Sequence, residues 1–102
     1  MTEDFKKWLC EKAGYKFDTM DKYYQKEFLK SLPNGLHLEI LIKAVWAINR
    51  ERKWNIFESY FSYNVYKDCV KQRQFHFKDY NNSEQKTLEK ALEYIYEQEL
   101  SE

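Results

Sequence analysis

WNIFESYFSYNVYKDCVKQRQFHFK, residues 54–78, decides how this chain is read. Side chains alternate between the two faces of a strand, so apolar residues at every second position mark one buried face. Trp54, Ile56, Glu58 and Tyr60 alternate against Asn55, Phe57, Ser59 and Phe61. Tyr63 and Val65 alternate against Asn64 and Tyr66, and Phe75 and Phe77 against Gln74, His76 and Lys78. Aromatic and β-branched runs broken by polar stretches predict a three-stranded antiparallel meander. Neither turn carries Asn-Gly or Asp-Gly, the usual two-residue hairpin signals, so the hairpin boundaries stay open at this level.

On both sides of this stretch the period becomes that of a helix. Residues 36–52 begin LHLEILIKAVWAIN and are apolar nearly all round, with Glu39, Lys43 and Arg50 near one stripe. A helix with so narrow a wet face is expected to be central to the core, with Trp46 buried in it. Residues 83–98 follow an N-cap signature at Asn82 or Ser83, and Leu88, Ala91, Leu92 and Ile95 form their apolar stripe. Near the N-terminus, Thr2 caps a helix over 3–13 built on Phe5, Trp8, Leu9 and Ala13, and Gly14 stops it. Asp18 or Thr19 opens a second helix carrying Met20, Tyr24, Phe28 and Leu32, which Pro33-Asn34-Gly35 ends. The predicted class is α+β: a three-stranded antiparallel meander packed against helices, in the order α-α-α-β-β-β-α. One domain over 1–102 is expected, with a helical pair at 1–32 and a helix–three strands–helix core at 36–98.

The chain has 102 residues, with 43% hydrophobic and 19% aromatic side chains, enough for one core and too many for a disordered tail. It contains no apolar run long enough for a membrane helix, and the acidic start Met1-Thr2-Glu3-Asp4-Phe5 lacks the apolar region of a secretory signal. Both features predict a cytoplasmic protein that does not engage membranes. Cys10 and Cys69 form no CxxC pair and are expected to be reduced thiols acting as half-buried small hydrophobes. His37 and His76 have no metal-ligand spacing to either cysteine, so neither a metal nor a cofactor is predicted. His76 alternates out of phase with Phe75 and Phe77 and reads as an exposed strand residue rather than a base. Two glycines leave little for a phosphate cradle, and no HExxH or nucleophile elbow is present. An enzyme is not expected.

FKKWLCEKAGYKF (5–17), ILIKAVWAINRERKWNI (40–56) and KDYNNSEQKTLEKALEYIYEQE (78–99) resemble small uncharacterised phage and prophage proteins of Bacteroidetes. Such proteins often carry a glycine where this chain has Arg52. The resemblance implies an accessory protein of a phage or prophage, acting in a bacterial host cytoplasm, and transfers no active-site residue.

Net charge is zero, but it is unevenly spread. Residues 1–53 carry net +3 and residues 54–102 net −3, and residues 83–102 hold six glutamates against Lys86 and Lys90. Nine tyrosines and three tryptophans are the clearest surplus. They point to a non-enzymatic interaction protein that binds a host or phage protein through exposed aromatics of the sheet region, with Trp54, Tyr60, Tyr63 and Tyr66 as candidates. Tyr63 and Tyr66 have opposite phases, so the more exposed of the two is the better candidate. The rival reading is a small nucleic-acid-binding module that uses a basic and aromatic edge of Arg50, Arg52, Lys53, Lys71 and Arg73. Oligomeric state is not readable from these residues.

Overall fold

The computed structural model describes residues 2–31 and 38–102. Leu32, the Pro33-Asn34-Gly35 breaker, Leu36 and His37 lie outside them. Among the described residues the order is α1 (Glu3–Lys12), α2 (Lys22–Ser31), α3 (Leu38–Glu51), β1 (Trp54–Glu58), β2 (Ser62–Lys67), β3 (Val70–His76) and α4 (Glu84–Leu100). The sheet is an antiparallel meander in the order β1-β2-β3, so the class and element order are those read from the sequence.

The caps explain both ends of α1 and the starts of α2 and α4. Thr2 Oγ1 accepts the Phe5 N–H and starts α1. At its far end the Tyr15 N–H reaches the Cys10 carbonyl and the Gly14 N–H the Glu11 carbonyl. This 6→1 and 5→2 pair needs a left-handed residue between, and Gly14 supplies it at φ 105°. Ser83 Oγ accepts the Lys86 N–H and starts α4. The second helix begins later than expected: Asp18 and Thr19 belong to a short 3-10 turn, Phe17–Thr19, and Asp21 Oδ1 caps α2 through the Tyr24 N–H at 2.9 Å. Within α2, Tyr24 is exposed, while Leu29 is buried and Phe28 packs partly against the core.

The strand phases divide the sheet cleanly. Trp54, Ile56, Tyr63, Val65 and Phe75 face the helices and are buried. Helix α4 covers this face with Leu88, Ala91, Leu92 and Ile95, while α1 packs on α3 and α4 through Phe5, Leu9 and Cys10. Helix α3 lies along the outer edge of β1. Asn49 donates to the Ile56 carbonyl and accepts the Ile56 N–H, so an amide side chain satisfies the backbone of an edge strand.

Trp46 is not in the core; it is 63% exposed. The buried residues of α3 are Ile40, Leu41, Ala44 and Ile48. At 3.6 residues per turn, Trp46 lies roughly 190° from the centre of that arc. It belongs to the stripe of Glu39, Lys43 and Arg50, at spacings of four, three and four. Trp46→Ala should therefore lower stability by less than about 1 kcal/mol. Leu92→Ala, at a fully buried position, should cost about 2–5 kcal/mol in the same denaturant titration.

The β2–β3 connection is the two-residue loop Asp68-Cys69, with φ of 50° and 67°. Two left-handed positions match the twist of the flanking strands, which is why Asn-Gly usually stands in such loops. Cys69 holds its place at a steric cost and is exposed, unlike buried Cys10, so the expectation of two half-buried thiols fails for both. Cys69→Gly should be more stable than Cys69→Ala by about 1 kcal/mol in thermal unfolding, because only glycine relieves that cost.

Candidate functional site

The other face of the sheet carries Asn55 and Phe57 from β1, Ser62, Asn64 and Tyr66 from β2, and Lys71, Gln74 and His76 from β3. Phe57 is 55% exposed and packs edge-on against Tyr66, at 5.5 Å between centroids and 73° between planes. The tight β1–β2 turn lifts two rings to the rim of this face: Tyr60 is 92% and Phe61 77% exposed. The Ser59 N–H to Ser62 carbonyl bond closes that turn, and the Ser59 and Ser62 hydroxyls meet at 2.7 Å.

Two clefts open on this face. One, of about 520 Å³, lies where α3 meets the sheet and is lined by Asn49, Arg52, Asn55, Phe57, Tyr66 and Cys69. The other, of about 560 Å³, lies under the turn, with Tyr60, Phe61, Gln74, His76, Phe77 and Lys78 on its walls. Gln74 donates to Ser62 Oγ at 2.9 Å and its Oε1 accepts from Lys71 at 3.3 Å, tying the β3 side chains into the face. Asn64 Oδ1, between Phe57 and Gln74 in the register, is buried with no hydrogen-bond partner among the described residues.

A register shift decides which basic residues reach this face. Val65 pairs with Arg73 but Tyr66 pairs with Lys71, so Gln72 is an extra residue in β3. The bulge turns Lys71 to the open face and Arg73 to the helix face. There the Arg73 guanidinium stacks over Phe75 at 4.9 Å and Tyr94 at 5.6 Å. Without the bulge the two residues would share a face, as alternation implied.

The sequence candidates are thus separated. Trp54 is 3% exposed and offers no contact surface; it stands edge-on to Tyr94 at 6.3 Å, and the Lys67 ammonium lies 5.3 Å from its ring centroid. Tyr63, 9% exposed, packs against Phe77, so Tyr66 is the more exposed of the pair. Tyr60 stands at the rim, its ring 6.4 Å from that of Phe61, on a cleft shared with Glu58 and Glu84. Of the basic set, Arg52 and Lys71 reach the open face, whereas Arg50 sits on the solvent side of α3. Lys53 is taken up by Glu102, which also pairs with Lys67 at 2.6 Å. Both lysines hold the Glu102 carboxyl below its ordinary range, and the Glu102 hydrogen bond holds the Lys53 ammonium above its own. Arg52 itself has φ 65°, the conformation a glycine takes freely at a helix end. Phe57, Phe61 and Trp46 are exposed aromatics that the sequence candidates omit; Phe57 was visible in the strand alternation as the ring out of phase with Ile56.

Among the described residues no three of His, Cys, Asp or Glu gather as a metal site, and no helix is long and apolar enough to cross a membrane. No protein-family model, curated protein or solved structure matches the chain.

Burial pushes the Tyr63 phenol up to about 12, helped by Glu58 and Glu84. The unfolded chain would release that proton near the ordinary value of 10. Between pH 10 and pH 12 the native state binds more protons than the unfolded state, so stability falls as pH rises through this window. Denaturant titrations across it should show that loss, and Tyr63→Phe should remove this part of the slope.

Proposed function

We propose that this chain is a non-enzymatic interaction protein, an accessory factor of a phage or prophage working in a bacterial host cytoplasm, and that its contact surface is the open face of the sheet. The supporting observation is the exposure of Phe57 on the open face and of Tyr60 and Phe61 in the turn at its end. Leaving large rings in water forgoes burial worth about 25 cal/mol per Å², so a cluster of them marks a surface that another molecule covers. The two clefts are broad and open at the surface, which favours a macromolecule over an enclosed small ligand. A single histidine and no carboxylate stand at the strand positions of this face, a poor set for acid–base work.

The test is capture from bacterial lysate on immobilised protein. The wild-type chain and a Tyr23→Ser variant, altered on exposed α2, should retain the same material. Phe57→Ser, or Tyr60→Ser with Phe61→Ser, should lose it while keeping the parent circular dichroism spectrum. Retention by folded face variants would contradict this assignment of the surface.

A further inference from the structure

We infer that the partner of the open face is a single-stranded nucleic acid, stacked on Phe57 and Tyr66 and held at its phosphates by Arg52 and Lys71. This rests on the binding-face reading above and names the class of partner. The first support is segregation of charge. The chain is neutral overall, yet no strand position on the open side carries a carboxylate. Glu58 alternates onto the helix side, opposite Tyr63, and six glutamates lie in or beside α4. Arg52, Lys71 and Lys78 border the face, and none forms an ion pair among the described residues. The nearest carboxylates, Asp68 in the β2–β3 loop and Glu58 and Glu84 beside Tyr60, stand at the ends of the face, so its middle attracts a polyanion.

The second support is what lies between the cations. Every base has a π-face, so exposed rings bind single strands with little regard to sequence, while cations track the backbone. Phe57 and Tyr66 share a cleft with Arg52, and Tyr66 pairs with Lys71 across the strands. The amides of Asn55 and Gln74 stand on the same face, within the chemistry of base edges. A protein-binding patch has aromatics too, but lysine is depleted from its core, and Lys71 stands on the face itself, paired with Tyr66. From Tyr66 to Ser62 along β2 is roughly 13 Å, so the face with its two end clefts suits a site of about four nucleotides, the small end of single-strand sites.

Fluorescence anisotropy with labelled oligo(dT) and oligo(U) ten-mers, titrated at 50 and 200 mM salt, tests this. Binding should weaken with salt, with a log–log slope of about −1.4 to −2.1 for two or three phosphates. Phe57→Ala should weaken binding roughly fivefold to a hundredfold. Arg52→Ala with Lys71→Ala should flatten the slope by about 1.4. Arg73→Ala, on the helix face, should change neither. Failure of both oligonucleotides to bind at 50 mM salt overturns the inference, as does binding indifferent to Phe57 and to the Arg52–Lys71 pair. If nuclease-treated lysate still yields a protein that Phe57→Ser loses, the partner is a protein; the nucleic-acid inference falls and the binding-face reading stands. If folded face variants keep all captured material, the binding-face reading itself falls.

Discussion

Everything in this molecule depends on how α4 lies across the sheet. Leu88, Ala91, Leu92 and Ile95 form one helical stripe, and they meet a strand face of Trp54, Ile56, Val65 and Phe75. A period of 3.6 is thereby matched to a period of 2, each side supplying the apolar cover that the other lacks. The remaining helices extend that layer rather than forming a second one: α3 flanks the β1 edge and α1 packs on α3 and α4. The strand positions out of phase with Ile56 and Val65 have no such cover. A half-covered sheet is common among antiparallel folds, but its wet face is ordinarily polar. Phe57, Tyr60 and Phe61 break that rule here.

Both sheet edges are managed, and the two devices shape the open face. Asn49 closes the β1 edge and also lines the cleft beside Phe57 and Tyr66. The β3 edge is left unpaired but carries Lys71, Arg73 and the Gln72 bulge, which together discourage addition of another strand. The same bulge sorts the two cations, sending one to the open face and the other onto Phe75 and Tyr94. One inserted residue thus protects an edge and sets the charge of a surface.

Much of this was legible in the sequence because it rests on period and capping. Strand phases, the α4 stripe, Thr2, Gly14 and Ser83 are local signals, and each does in the fold what its chemistry implies. The misplacement of Trp46 came from weighing hydrophobicity above spacing: its interval from Lys43 and Arg50 already set it on the wet stripe. Other features had no local signal. Lys71-Gln72-Arg73-Gln74 is polar throughout, so nothing in it marks where alternation breaks. Asp68-Cys69 takes a glycine-like turn without glycine, and the Asn49–Ile56 bridge joins two elements whose approach only the tertiary fold sets. The opposite phases of Tyr63 and Tyr66 were legible and part them as expected, whereas the burial of Trp54 against Tyr94 and the turning of Arg73 by the bulge are set by the tertiary fold.

The central claim is that one sheet face is sealed by α4 and the other lies open to water. Solvent paramagnetic relaxation measured by NMR, with a soluble gadolinium chelate as the probe, tests it most directly. Ring protons of Phe57, Tyr60 and Phe61 should relax strongly with added chelate, while side-chain protons of Ile56, Val65 and Ile95 stay protected. Protection of the Phe57 ring to the level of Val65 would mean that another part of the chain, or a second copy, covers the face, and would contradict the account.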